Sequence, residues 1–265
     1  MEKKSRRDFL KESAAALGLS AALPLVATSC TGAAEAGGHG GASGPQLGMV
    51  IDVEKAQNDT VRRACSEACR TAHNIPVIED PEERIRWIWE EQYADVFPDQ
   101  VHDHMPDSQR EAPVLVLCNH CTNPPCVRVC PTQATWKRDE DGIVMMDMHR
   151  CIGCRYCMAA CPYGSRSFNW RDPRELIETD ADGNFLSEFP TRTRGVVEKC
   201  NFCAERLRDG LLPACVDAAN QIAEGTMTFG DLSDPNSEVS RVLHDARTIS
   251  RRVSLGTGPN VFYLV

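Results

Sequence analysis

The chain has 265 residues, a net charge of −9, 14 cysteines, and only four tyrosines and four tryptophans. This length allows one large domain or two small ones. The cysteine count indicates a core built around inorganic centres as well as apolar packing. The acidic balance argues against a nucleic-acid partner, because no basic stripe is present to neutralise phosphates. After the N-terminal region no apolar run reaches about 18 residues, so the mature chain is not expected to span a membrane itself.

The first residues have the features of an export signal. The segment Ser5–Lys11 contains two adjacent arginines, and an Ala/Leu-rich segment follows at 14–26. This pattern is typical of a twin-arginine signal, which exports proteins already folded. It predicts a periplasmic protein, with an amphipathic cytoplasmic helix as the alternative.

We predict a signal peptide at 1–36 and a Gly-rich linker at 37–46. Cleavage near Ala36 fits a small-x-small sequence. Cys30 is an alternative site for a lipid anchor, although Ala27 stands where such sites usually carry leucine. The protein is therefore expected to be peripheral on the membrane, held there through partners.

Thirteen cysteines follow in four groups, and the third group indicates the kind of site. Its spacing, C-x2-C-x2-C-x3-C followed by proline, is the bacterial ferredoxin signature for [4Fe–4S] clusters. The x2 spacings let one short loop hold three corners of a cube. The fourth cysteine faces away and binds a second cluster. Zinc is the alternative, but it needs four ligands at one centre. The third group is Cys151, Cys154, Cys157 and Cys161, with Pro162 after it.

The other groups vary this pattern. The second has x2, x4 and x3 spacings before a proline, and the fourth has x2 and x11. The fourth lacks a further cysteine at Ala219, and the first has Asp59 and Arg62 in place of its two earlier cysteines. The first group is Cys65 and Cys69; the second is Cys118, Cys121, Cys126 and Cys130; the fourth is Cys200, Cys203 and Cys215.

Paired ferredoxin runs exchange their fourth cysteines, so the groups predict which cysteines share a cluster. Pairing the second group with the third completes two sets, and pairing the first with the fourth completes one more. The remaining site retains a single thiol, Cys65, which cannot hold a cube and is predicted to be a buried apolar residue. We therefore predict three [4Fe–4S] clusters. Set one is Cys118, Cys121, Cys126 and Cys161; set two is Cys151, Cys154, Cys157 and Cys130; set three is Cys200, Cys203, Cys215 and Cys69.

The segments between the groups carry weaker signals. Residues 81–97 have helical spacing, with Ile85, Ile88 and Trp89 on one face, and predict a covering helix. The pair His102 and His104 lies in an acidic polar loop and is interpreted as surface. Disulfides remain an alternative for at most one leftover cysteine pair. Further predictions are strands at 50–53 and 165–170, a hairpin formed by 134–137 and 143–147, and a turn at Asp182-Gly183.

The four-group order, the x4 loop and the x11 gap resemble the four-cluster ferredoxin-type subunits of membrane-associated oxidoreductases. That family includes the electron-transfer subunits of dimethyl sulfoxide, polysulfide and formate-dependent nitrite reductases, and the likeness extends over about 47–232. Segments 117–138, 141–173 and 195–207 are most similar to the periplasmic iron–sulfur subunits of DsrMKJOP complexes of sulfur metabolism.

The resemblance implies a one-electron relay without a substrate site of its own. The incomplete fourth site corresponds to the cluster that faces a molybdenum subunit in the reductases, which counts against that partner. A DsrMKJOP-like complex implies an integral membrane quinone-interacting subunit and a multihaem cytochrome c as neighbours. The alternatives are an electron-transfer subunit of a molybdopterin-dependent reductase, a catalytic iron–sulfur enzyme and a zinc-based scaffold.

The expected fold is α+β, with two pseudo-symmetric bacterial ferredoxin-like [4Fe–4S] modules that carry helical and loop insertions. Module one comprises 47–72 plus 196–232, module two 113–170, the insertions 73–112 and 171–195, and a C-terminal tail 233–265. Five basic side chains close in sequence to the ligands either tune the clusters or form solvated surface. They are Arg128, Arg150, Arg155, Arg166 and Lys199.

Overall fold

The computed structural model describes residues 44–265, so the predicted signal peptide and most of the linker lie outside the described residues. Short helices and small sheets alternate along this part of the chain, in agreement with an α+β class. Within it, no helix combines the length and apolar character needed to cross a membrane.

The elements are short, and most are separated by loops. The strands are β1 (Leu47–Asp52), β2 (Ile88–Gln92), β3 (Pro113–Leu117), β4 (Thr135–Lys137), β5 (Val144–Met146), β6 (Ser167–Phe168), β7 (Val197–Glu198), β8 (Met227–Asp231), β9 (Thr248–Ile249) and β10 (Val261–Leu264). The helices are α1 (Asp59–Ala72), α2 (Tyr93–Val96), α3 (Asp107–Arg110), α4 (Pro125–Arg128), α5 (Tyr156–Ala160), α6 (Ala204–Arg208), α7 (Ala214–Ile222) and α8 (Glu238–Asp245).

The largest sheet joins the two ends of the described chain in the order β8-β1-β10-β9. Strand β1 pairs antiparallel with β8 and parallel with β10, so the last strand lies inside the sheet. Val261 and Tyr263 of β10 are fully buried. Residues 233–265 therefore do not form a separate tail: they supply α8, β9 and β10 to the body of the domain.

The prediction of a covering helix at 81–97 is wrong. Strand β2 lies there instead, followed by the single turn α2, and β2 pairs antiparallel with β3 in the register Ile88↔Leu117 and Trp89↔Val116. Successive strand residues point to opposite faces, yet Ile88 and Trp89 are both buried, because β2 is covered on both sides. A helix-like apolar spacing thus arises from a strand whose first two residues are buried on opposite faces.

The predicted hairpin is confirmed by β4 and β5, and the turn at Asp182-Gly183 is present between Asp180 and Asn184. Strand β6 of predicted module two pairs with β7 of predicted module one, in the register Ser167↔Glu198. One continuous apolar core also contains buried residues from β1, α1, β3 and α7. The two predicted modules are thus joined by shared hydrogen bonds and shared packing.

Candidate metal centres

The four cysteines of set one converge on one cavity. Cys118, Cys121 and Cys126 are buried, Cys161 is half-buried, and all four line the cavity. Burial and the nearby charges of the other three cysteines raise the pKa of the Cys121 thiol to about 12. The four thiols are therefore close enough to interact, and a bound metal would have to displace their protons.

The cavity of set one also contains a buried amide without a partner. The side chain of Asn119 is buried, and neither its Oδ1 nor its Nδ2 has a hydrogen-bond partner within residues 44–265. Buried polar atoms in native proteins are almost always satisfied. Asn119 lines the same pocket as the four cysteines, and its unpartnered N–H suits an acceptor such as the sulfide of an iron–sulfur cluster, so the residues present fit this cofactor.

Set three is assembled from two helices and a loop. Burial raises the pKa of Cys69, and the charges of Cys200, Cys215 and Cys203 raise it further, so α1, α7 and the 200–203 loop meet at one point. The backbone N–H groups of Phe202 and Ala214 donate to Cys200 Sγ and Cys203 Sγ, each at 3.4 Å. Such bonds favour the thiolate form that a metal site requires.

Set two lies closer to the surface than the other sets. Cys157 is buried, Cys151 and Cys130 are half-buried, and Cys154 is exposed. Burial and the charge of Cys151 both raise the pKa of Cys157, and the N–H of Val197 donates to Cys151 Sγ at 3.5 Å. Cys130 and Cys154 are members of set two by their spacing alone.

The loop of set two requires glycine at one position. Gly153 has φ +70°, and a Cβ there would lie 2.3 Å from the carbonyl oxygen of Gly195. Arg155 is also left-handed, with φ 62°, immediately before α5 begins. In set three, Cys203 has φ 52° immediately before α6 begins. A left-handed residue that ends the cysteine loop and starts a helix is therefore common to both sites.

Contacts between the sets give their order. The rings of His120 and Phe202 stack with centroids 3.7 Å apart and an interplanar angle of 19°. Each ring belongs to the third residue of a C-N-x-C loop, one in set one and one in set three. On the other side, the charge of Cys126 in set one acts on Cys157 in set two. Set one therefore lies between set two and set three.

The position of the incomplete fourth site is closed by a regular helix. Helix α1 runs unbroken through Asp59, Arg62 and Cys65, and none of its residues has a positive φ. Its backbone N–H groups from the second turn onward are used within the helix, whereas the cluster loops leave theirs free for sulfur. The helical conformation therefore excludes the loop that a ferredoxin site needs.

The side chains at the closed site are also accounted for. Arg62 Nε lies 2.7 Å from Glu90 Oε2, and its Nη1 donates to the carbonyl of Ala56 at 3.2 Å. Cys65 is fully buried, its Sγ donates to the carbonyl of Cys215 at 3.5 Å, and burial raises its pKa to about 12. Ala219 is fully buried as well. Cys65 is thus a buried thiol in the apolar core, as the sequence predicted.

Set one is closed from the C-terminal side by residues that no spacing in the sequence predicts. Tyr163 Oη and Thr257 Oγ1 are 2.5 Å apart, and Thr257 also bonds Cys121. Asn260 Nδ2 donates to the carbonyl of His120 at 2.7 Å. The matching third positions of the two C-N-x-C loops could have singled out His120 and Phe202, but no local signal marks residues 257–260.

Comparison with known proteins supports the class of site. A family model described as a 4Fe-4S dicluster domain matches residues 114–175, which contain the whole second and third cysteine groups. The chain is therefore a ferredoxin-type iron–sulfur protein.

Longer matches extend over both predicted modules. The chain is 41% identical over 232 residues to the Hdr-like menaquinol oxidoreductase iron-sulfur subunit 1 of Archaeoglobus fulgidus, with 81% of each chain covered. It is 36% identical over 241 residues to the menaquinone reductase iron-sulfur cluster-binding subunit of Nitratidesulfovibrio vulgaris, covering 82% of this chain and 88% of the relative. It is 35% identical over 246 residues to the arsenate respiratory reductase iron-sulfur subunit ArrB of a Shewanella species, covering 83% and 96%.

The chain belongs to the family of [4Fe–4S] ferredoxin-type iron–sulfur subunits of quinol-linked and reductase complexes. Members of this family transfer electrons and are not the catalytic subunits of their complexes. When bound, [4Fe–4S] clusters take up and release single electrons. The fold buries the thiols of set three and three of the four thiols of set one, and it leaves Cys154 of set two exposed.

Proposed function

We propose that this chain relays single electrons through three [4Fe–4S] clusters arranged in the order two, one, three. Set two, nearest the surface, serves as one terminus, and set three serves as the other. The observation that carries the proposal is the convergence of cysteines from distant segments on sets one and three. The unbroken helix at the fourth site supports a count of three rather than four.

We further propose that the chain acts on the periplasmic side of the membrane as the DsrO-type subunit of a DsrMKJOP-like complex of dissimilatory sulfur metabolism. Its electrons would pass between an integral membrane quinone-interacting subunit and a multihaem cytochrome c. The twin arginines of the N-terminal segment support the location. Relatives named for menaquinol and menaquinone chemistry support a quinone-linked complex.

A second candidate is the electron-transfer subunit of a molybdopterin-dependent reductase. The similarity to ArrB favours it, because the match covers 96% of that protein. The closed fourth site counts against it, since the resemblance places that site next to the molybdenum subunit. The two candidates differ in both cluster number and partner.

The cluster number is tested by iron and acid-labile sulfide analysis of anaerobically purified mature protein, with EPR of the reduced form. Three cubes correspond to about twelve irons per chain. We expect that value and the signals of three interacting clusters. A content of about sixteen irons would contradict the proposal, because it would require a fourth cube completed by other ligands.

The partners are tested by purifying the chain with an affinity tag from gently solubilised membranes of its native host. The proposal expects covalently bound haem c and a membrane subunit in the purified complex. Recovery of a subunit that contains a pterin cofactor, in place of haem c, would establish the molybdoenzyme candidate instead. Acid-labile sulfide, which haem does not contain, serves as the internal control for intact iron–sulfur sites in the complex.

A further inference from the structure

Five arginine and lysine side chains are buried within residues 44–265, and they fall into two classes. Three of them form ion pairs with carboxylates, whereas Arg166 and Lys199 form none within this part of the chain. The paired side chains are Arg62 with Glu90 at 2.7 Å, Arg192 with Glu198 at 2.6 Å, and Arg251 with Glu91 at 3.6 Å.

Arg166 lies at the junction of set one and set two. It is 5% exposed, and its Nη2 donates to Thr135 Oγ1 at 2.9 Å. Burial by itself lowers the pKa of the guanidinium. The charges of Cys126, Cys157 and Cys118 raise it by more, so the pKa lies above its ordinary value. Arg166 lines the cavity that also contains the four cysteines of set one, and its side chain forms a hydrogen bond with Cys157 of set two.

Lys199 lies at the junction of set one and set three. It is 2% exposed, and its Nζ donates to the carbonyl of Cys200 at 2.6 Å and to the carbonyl of Val144. Its charge acts on Cys200 of set three and on the ring of His120 in the loop of set one. One buried cation therefore lies at each of the two junctions: Arg166 between sets one and two, and Lys199 between sets one and three.

A buried charge without a counter-ion is costly, and native proteins pair such groups or let them bind an opposite charge. Within residues 44–265, the groups that face Arg166 and Lys199 are carbonyls, a hydroxyl, a thioether and cysteines, with no carboxylate among them. A cube held by four thiolates is an anion, and reduction makes it more negative. Charge and hydrogen bonds near such clusters set their reduction potentials.

We propose that Arg166 and Lys199 are the fixed counter-charges of the relay. Their positive charges raise the reduction potentials of the clusters on either side of them. Arg166 acts on the clusters of sets one and two, and Lys199 on those of sets one and three. This inference rests on the proposed function, because it needs clusters in all three sets. The other three basic side chains near the ligands, Arg128, Arg150 and Arg155, are exposed and lack this role.

The test is a potentiometric titration, monitored by EPR, of the anaerobically purified full-length protein. The variants Arg166→Gln and Lys199→Gln remove the charge, whereas Arg166→Lys and Lys199→Arg keep it. Each charge-removing variant should lower the reduced-to-oxidised ratio of its two adjacent clusters at least tenfold at a fixed potential. For a one-electron couple this corresponds to about 59 mV. The charge-keeping variants should remain near the parent.

The matched control is Arg150→Gln, which removes an exposed charge next to Cys151 in the sequence. Water and salt screen such a charge, so we expect less than a threefold change in the ratio. Equal shifts in the Gln and the charge-keeping variants would overturn the proposal, because packing rather than charge would then be responsible. Unchanged ratios in fully loaded Gln variants would also overturn it.

The iron content of each variant shows whether it has folded and retained its clusters. Loss of iron from the Gln variants alone supports the counter-charge role, because the charge-keeping forms also change the side chain but retain its positive charge. Loss from both kinds of variant overturns it. The iron count of the parent protein reports separately on the proposed function. If the parent lacks one cluster, the relay of three fails, while the remaining clusters still report on the cation beside them.

Discussion

The Cys69→Ala variant is expected to lose the cluster of set three, so that its iron content falls from about twelve to about eight per chain. Cys69 is the one member of predicted set three on α1, and Cys200, Cys215 and Cys203 lie close enough for their charges to raise its pKa. A cluster that keeps three thiolate ligands and meets only an alanine at its fourth corner is easily lost or converted to another cluster type. Iron and sulfide analysis of the anaerobically purified variant measures the effect.

Cys65→Ala is the matched control, one helical turn earlier on the same helix. Its thiol is also fully buried, but it bonds a carbonyl and belongs to no predicted set. We expect a full iron content and a loss of stability of about 1 kcal/mol, similar to that for one buried methylene group. If Cys65→Ala instead lost iron as Cys69→Ala does, a fourth site built around Cys65 would have to be considered.

Replacing Glu198 with glutamine is expected to cause the largest loss of stability among substitutions that spare the ligands. Glu198 is fully buried and accepts hydrogen bonds from Arg192 Nε at 2.9 Å, Trp87 Nε1 at 2.8 Å and Asn169 Nδ2 at 2.6 Å. Removing its charge leaves Arg192 buried and unpaired, which costs about 3–5 kcal/mol. In a chain of this size that corresponds to a fall of roughly 6–20 °C in the unfolding midpoint.

The control for this prediction is the double variant Arg192→Leu, Glu198→Gln. Removing both charges leaves no unpaired ion, so the double variant should unfold at a higher temperature than Glu198→Gln alone. Scanning calorimetry of the cluster-loaded proteins under anaerobic conditions compares them. The single variant Arg192→Leu completes the comparison. If the losses of stability of the two single variants simply added in the double variant, the charge pair would not be responsible.

The sequence predicted the kind of site because cysteine ligands are placed by local spacing. The runs that end at Cys130 and Cys161 are short enough for the loop itself to set their geometry. The structure brings together sets one and three. The assignment of Cys130 and Cys154 to set two remains a prediction. The loss of the fourth site could also be predicted in part from the sequence, because Asp59 and Arg62 are not usual cluster ligands.

Features that depend on distant partners could not be predicted in the same way. The apolar spacing around Ile88 suits a helix, and only the pairing with residues 113–117 makes it a strand. Arg155 and Lys199 are each adjacent to a cysteine in the sequence, yet Arg155 is exposed and Lys199 is buried. Local sequence does not show which basic residue the fold turns inward, because burial is decided by segments far away along the chain.

The position of the last strand affects the order in which this protein can be assembled. Strand β10 lies between β1 and β9, and residues 257–260 bond the loop that carries Cys118 and Cys121. A nascent chain that lacks residues 257–264 therefore has neither a complete main sheet nor a closed set one. Domains of many proteins fold during synthesis from the N-terminal side. Set one can therefore be closed only after residues 257–260 have been synthesised, more than 90 residues after the last of its own cysteines, Cys161.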